Sequence, residues 1–153
     1  MNDPAELTGE FWDAAAEGRL VRPVCERCGR SFFTPRVACP HCRSLRWSYE
    51  DSVGAGTVTS HTTVHRGPDE TWETPYVLGV VDVDEGWNLL TRLLVEPPDE
   101  SEPGALIGTR VQVRFIDAHP PDTRRLPAFE PAPSAPADPS STPSVPTSTQ
   151  EPS

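Results

Sequence analysis

Cys25-Glu26-Arg27-Cys28, then ten residues, then Cys39-Pro40-His41-Cys42: these two short runs hold all four cysteines of the 153-residue chain. A two-residue spacer lets both thiolates of a pair reach one ion, and two such pairs complete a tetrahedron of sulfur. Gly29, directly after the second sulfur, supplies the free backbone torsions that the tight turn needs. Thiolates at about 2.3 Å suit zinc, and iron on the same four sulfurs is the lesser alternative. A redox dithiol would use one such pair, not two, and a closed set of four sulfurs admits no substrate. Two disulfides fit a secreted chain, whereas Met1-Asn2-Asp3-Pro4-Ala5-Glu6 has neither the basic nor the apolar region of a secretory leader. The expectation is one structural zinc ion on Cys25, Cys28, Cys39 and Cys42 that folds the segment and activates no water.

Working outward from this block, residues 6–20 place Leu7, Phe11, Trp12 and Ala15 at helical spacing among the helix formers Ala14-Ala15-Ala16-Glu17, with Gly18 as a stop. That predicts one amphipathic helix whose Phe11 and Trp12 must be buried, either on this chain's core or on another subunit. Residues 21–46, with Pro23, Pro35 and Pro40 and little periodicity, form a unit that only metal can organise. Beyond Trp47 the pattern turns to period two and to β-branched residues. Strands are expected at Trp47–Val53, Thr57–Val64, Pro75–Val83, Trp87–Val95 and Arg110–Ile116, with Gly54-Ala55-Gly56 as a bend and Asp84-Glu85-Gly86 as a hairpin turn. Five strands with glycine at the bends make a small barrel over residues 47–129. From Pro127 the composition drifts to Pro, Ser, Thr and Ala, and residues 130–153 are expected to be a disordered tail.

The formal charge is −10 and the isoelectric point near 4.7, which disfavours a protein built to grip phosphate backbones. Every basic residue other than histidine is arginine, and seven arginines between Arg19 and Arg46 face one acid, Glu26. This cationic segment is either a solvated face or a docking surface for an anion or an acidic partner. No apolar run approaches the roughly 20 residues that span a bilayer, so a soluble, cytoplasmic chain is expected. No catalytic constellation stands out. His61 and His65 lack companions at ligand spacing, His41 reads as solvent-facing, and Asp82, Asp84 and Glu85 flank a turn where acids are ordinary. Trp12, Trp47, Trp72 and Trp87 are too dispersed to read as a base-stacking row.

Phe11-Trp12, Gly18-Arg19-Leu20, the two cysteine pairs, Pro35, Gly54-x-Gly56-Thr57-Val58, Pro75-Tyr76, Val80-Val81 and Ile107-Gly108-x-x-Val111-x-Val113-x-Phe115 together resemble the zinc-ribbon OB-fold family, long catalogued as a domain of unknown function. The resemblance runs from about Phe11 to Phe129. It implies a mainly β fold: N-terminal helix, rubredoxin-like zinc ribbon and five-stranded OB barrel. It also implies a non-catalytic accessory subunit in a hetero-oligomer with a thiolase-like (sterol-carrier-type thiolase or aldolase), hydratase-like or acyltransferase partner, serving acyl-CoA metabolism of lipids, steroids or polyketides. Contact with the CoA thioester is implied near the ribbon, whose guanidiniums suit its phosphates. The rival reading is a single-stranded nucleic-acid-binding module, since OB barrels and zinc ribbons both serve that purpose.

Overall fold

The computed structural model describes residues 4–99 and 101–133. Helix α1 (Pro4–Ala16) carries Glu6 in its first turn, where a carboxylate complements the helix dipole. It ends as its alanines give out: Gly18 takes φ 77°, its amide bonds Ala15 O at 3.0 Å, and the Arg19 amide bonds Ala14 O at 2.9 Å. This pairing satisfies carbonyls that the last helical turn leaves free. Phe11, Ala14 and Ala15 are buried beneath it.

Two strands follow, separated by the cysteine block. β1 (Val21–Cys25) and β2 (Trp47–Asp51) pair antiparallel, with Cys25 opposite Trp47 and Val21 opposite Asp51. The run beginning at Trp47 is therefore a strand, as its alternation implies, but it closes the ribbon rather than opening the barrel. Period two reports that a segment is extended and says nothing about which strand it will join.

The barrel consists of β3 (Ala55–Val64), β4 (Tyr76–Val83), β5 (Trp87–Leu93), β6 (Arg110–Asp117) and β7 (Arg125–Pro131), closed in the order β3-β4-β5-β7-β6. All pairs are antiparallel except β5–β7, which meet in parallel at Leu93 and Phe129. This is the OB-fold order, and the barrel has the expected five strands. Its fifth, however, is β7, which extends to Pro131 inside the segment expected to be tail. Of that segment, residues 134–153 lie outside the described residues.

Alternation fills the interior: Trp87, Leu89, Thr91 and Leu93 of β5 point inward, joined by Val58, Val77, Val81, Val111 and Phe129. Phe11, Leu20 and Val21 belong to the same core, so helix and ribbon strand seal one end of the barrel. Glu85 in the β4–β5 turn is a clasp between the units. It accepts bonds from Ser52 Oγ and the Val53 amide, both at 2.8 Å, and lies 3.7 Å from Arg22 of β1. Asp84 beside it takes both guanidinium nitrogens of Arg110 at 2.7 Å, so the turn acids are structural. No helix among the described residues is long and apolar enough to cross a membrane.

Candidate functional site

The two cysteine pairs sit on knuckles built by the same rule. In the first, the Gly29 amide bonds Cys25 O at 2.8 Å and the Cys25 amide bonds Arg30 O at 3.0 Å. In the second, the Arg43 amide bonds Cys39 O and the Cys39 amide bonds Ser44 O, both at 2.9 Å. Gly29 and Arg43 occupy equivalent places and share a left-handed backbone, φ 68° and 60°. The Glu26 amide bonds Arg46 O at 3.2 Å and so draws the two knuckles together.

The four Sγ atoms lie within 4.8 Å of one another, with Cys25–Cys42 at 3.5 Å and Cys28–Cys39 at 3.8 Å. A tetrahedron with metal–sulfur bonds of about 2.3 Å has edges of about 3.8 Å, so the donor set fits one ion. Amides of Cys28 and Arg27, with neighbouring thiols, bring the Cys25 thiol down to about 6. The Ser44 amide also lowers Cys42, but burial and the three other sulfurs outweigh it and take that thiol up to about 11. Four thiols this close resist losing four protons unaided, and a cation resolves the conflict. Around the sulfurs the ribbon core is small: Cys25, Cys39 and Phe32 are buried, with Cys42 and Trp47 against them. All four donor positions are filled by protein, so such an ion holds the fold and activates no substrate.

A second feature was not legible in the sequence. A cleft of about 850 Å³ opens where helix, ribbon and barrel meet. Trp12 of α1, Phe33 of the ribbon, Trp72 of the β3–β4 loop and Tyr76, Leu90 and Arg92 of the β4–β5 face line it, along with His119 of the β6–β7 loop. In the OB fold this face and these loops are the ligand-binding surface. The Trp72 and His119 rings stack at 4.6 Å and 4°, Arg124 lies 4.4 Å over Trp12, and Arg92 lies 5.1 Å over Tyr76. Glu73 and Asp117 also line the cleft and offset these cations.

The histidines and tryptophans thus separate by role. His61 accepts a long bond from the Leu106 amide at 3.5 Å, and His65 falls beyond the end of β3. His41 is exposed, and its Nε2 reaches Ser31 O at 3.3 Å. Trp12 and Trp72, sixty residues apart in the chain, share the cleft, whereas Trp47 packs on Phe32 and Tyr49, and Trp87 is buried.

Known proteins share this architecture. Residues 12–48 match the family described as "ChsH2, rubredoxin-like zinc ribbon domain", and residues 49–115 match "ChsH2, C-terminal OB-fold domain". A "Probable enoyl-CoA hydratase alpha subunit" from Thermomonospora curvata is 37% identical over 80% of this chain, which spans only 37% of that relative's length. A "DUF35 domain-containing scaffold protein" from Methanothermobacter thermautotrophicus is 31% identical, with 63% of this chain and 71% of that one covered. Among solved structures, a chain of the "Ltp2-ChsH2(DUF35) aldolase" superposes with TM-score 0.70 and 32% identity, covering 86% of this chain and 98% of that one. The matched cysteine block, the barrel order and these relatives together make the chain a member of the DUF35 family, with a ChsH2-type zinc ribbon followed by a ChsH2-type OB-fold domain.

Proposed function

We propose that this chain is a non-catalytic accessory subunit. It holds one zinc ion on Cys25, Cys28, Cys39 and Cys42 and associates with a thiolase-like partner, or a hydratase-like or acyltransferase one, in acyl-CoA metabolism. The observation that carries this reading is the likeness, over 86% of the chain, to a protein solved as part of the Ltp2-ChsH2(DUF35) aldolase. Relatives called scaffold proteins and a relative called a hydratase subunit point the same way. The chemistry agrees: a closed tetrathiolate offers no open coordination site, and the turn acids Asp84 and Glu85 are occupied by Arg110, Arg22 and Ser52.

The test is affinity purification of the tagged chain from its native host, with mass spectrometry and metal analysis of one sample. Near-stoichiometric recovery of a thiolase-like or hydratase-like protein with about one zinc per chain is the expected result. Recovery of the chain alone defeats the reading, and a visible absorption band from ferric tetrathiolate replaces zinc with iron.

One observation favours a second reading. The aromatic cleft occupies the face that OB folds use for single-stranded nucleic acid, with Trp12, Trp72 and Tyr76 as stacking surfaces. The charge of −10 and the carboxylates of Glu73 and Asp117 in the cleft oppose it. Fluorescence anisotropy with labelled single-stranded DNA and RNA separates the two: micromolar or tighter binding that weakens steeply with salt selects the nucleic-acid module.

A further inference from the structure

On a chain of net charge −10, arginines find carboxylates easily. Arg19 holds Glu17 and Asp51, Arg22 holds Glu50 and Glu85, and Arg110, Arg114 and Arg124 hold Asp84, Glu130 and Asp122. Arg125 donates to Phe115 O, and Arg92 lies over Tyr76. The five arginines of the metal block behave differently. Arg27, Arg30, Arg36, Arg43 and Arg46 are all exposed, and among the described residues none of their guanidiniums has a hydrogen bond, an ion pair or an aromatic face. Outside the ribbon only Arg66 shares that condition.

Their placement is compact. Arg27 precedes Cys28 and Arg43 follows Cys42, while the backbones of Arg30 and Arg46 bond the amides of Cys25 and Glu26. Four of the five therefore crowd the two knuckles around sulfurs that lie within 4.8 Å of one another. None of their guanidiniums serves the sulfurs: the donors to Cys25 are the backbone amides of Cys28 and Arg27, and the donor to Cys42 is that of Ser44. The opposite end of the ribbon is the one that packs, through Phe33, Tyr49 and Val21, into the barrel core. Beside these arginines in the chain, Val37 follows Arg36 and is 51% exposed, and Leu45 lies between Arg43 and Arg46 and is 72% exposed, the highest among the exposed large apolar side chains of the described residues.

We infer that this free tip of the ribbon is the docking face for an acidic protein surface with an apolar centre, carried by the thiolase-like partner. The inference rests on the accessory-subunit reading and names the surface through which that association is made. Charge sets the sign of the partner: five uncompensated guanidiniums against the single carboxylate of Glu26 attract acids and repel a basic face. Val37 and Leu45 set its class. A phosphate ester or nucleic-acid backbone has no use for apolar area beside each cation, whereas protein interfaces have an apolar, desolvated centre and are enriched in arginine. Guanidinium also suits this role better than ammonium, because it forks onto carboxylates and is weakly hydrated.

The test uses the full chain and the thiolase-like protein recovered with it, and measures affinity between about 50 and about 500 mM salt. Zinc content is checked first in every variant, because the ribbon depends on it. Arg27→Glu with Arg43→Glu is expected to weaken binding by about a hundredfold at low salt and to flatten the salt dependence. Leu45→Gln is expected to weaken binding about tenfold at every salt concentration, and Arg66→Glu to leave it unchanged. If the complex forms with unaltered affinity in the first two variants, docking lies elsewhere and this inference falls while the accessory-subunit reading stands. If Leu45→Gln is silent and free CoA competes with the partner, the patch is a polyphosphate site and the inference is again overturned. If no thiolase-like protein is recovered, both fall together.

Discussion

At the scale of single residues, the ribbon carries a visible imperfection. Gly29 and Arg43 occupy equivalent knuckle positions with φ 68° and 60°, yet only the first is glycine. A left-handed backbone costs a residue with a Cβ about 1 kcal/mol relative to glycine. Arg43→Gly is therefore expected to raise the stability of the metal-loaded protein by about 1 kcal/mol, measured by chemical denaturation. His119 carries a second residue-level expectation. Both of its ring nitrogens face backbone carbonyls, Thr71 O at 3.0 Å and Pro120 O at 2.8 Å, so both are satisfied as donors only when the ring is protonated. These carbonyls, Thr71 first, and the nearby Asp69 carboxylate raise its pKa above the ordinary 6.5. The loop contact that it makes is thus complete below that ordinary value and is lost as pH rises through the higher folded value. Nuclear magnetic resonance titration of the His119 ring should show a midpoint above 6.5, reduced by Asp69→Asn; a midpoint at or below 6.5 refutes the assignment.

At the scale of elements, two glycines make opposite demands. Gly54, entering β3, has φ 65°, and a Cβ there would sit 2.2 Å from Val113 of β6, whose amide bonds Gly54 O at 2.7 Å. Gly9 lies within α1 with nothing within 4 Å of where its Cβ would be. Gly54→Ala is expected to destabilise by about 3 kcal/mol, from left-handed strain and overpacking together. Gly9→Ala is expected to stabilise by up to about 1 kcal/mol, the helix-propensity difference. Thermal melts of the two variants side by side check both signs. Elements also mark how far the sequence could be read. The helix and its stop, four barrel strands and the hairpin turn were legible because each rests on a local pattern. β7 was not, because Pro127 and Pro131 within seven residues resemble the proline-rich segment that follows, and proline demotes a strand on local grounds. It is a strand because β6 pairs with it from Val111 to Asp117. The cleft escaped for a related reason: Trp12 and Trp72 meet only once the barrel has formed. The cysteines were legible because their chemistry is written in their spacing. The surplus of arginine could be counted, but which arginines lack partners is decided by tertiary placement alone.

At the scale of the whole molecule, two cores of unequal strength are joined. The barrel core gathers Phe129, Val58, Val77, Val81 and their neighbours, whereas the ribbon core is Phe32 with two cysteines, fringed by Cys42 and Trp47. Structural zinc in comparable short segments contributes roughly 10 to 16 kcal/mol of apparent free energy near neutral pH, far more than one buried phenylalanine at about 3 kcal/mol. Complete chelation or Cys39→Ser is therefore expected to unfold the ribbon, seen as loss of the near-ultraviolet signal of Trp47 and a lower melting temperature. An unchanged spectrum and melt after full metal removal would contradict it. Because Val21 and Phe33 bridge into the barrel core and Glu85 clasps Arg22, the loss should reach the barrel as reduced stability rather than stop at the ribbon.

The parallel meeting of β5 and β7 at Leu93 and Phe129 also governs the order in which the molecule can be assembled during its synthesis. Cys25 through Cys42 precede every barrel strand in the chain, so the four sulfur donors are complete before any stave has been made. The barrel has no such independence. Until Arg125–Pro131 emerges, β6 lacks its long antiparallel neighbour, β5 has one bare edge, and Phe129 has not entered the centre of the core. Closure of the barrel wall therefore waits on the last of its five staves to be made.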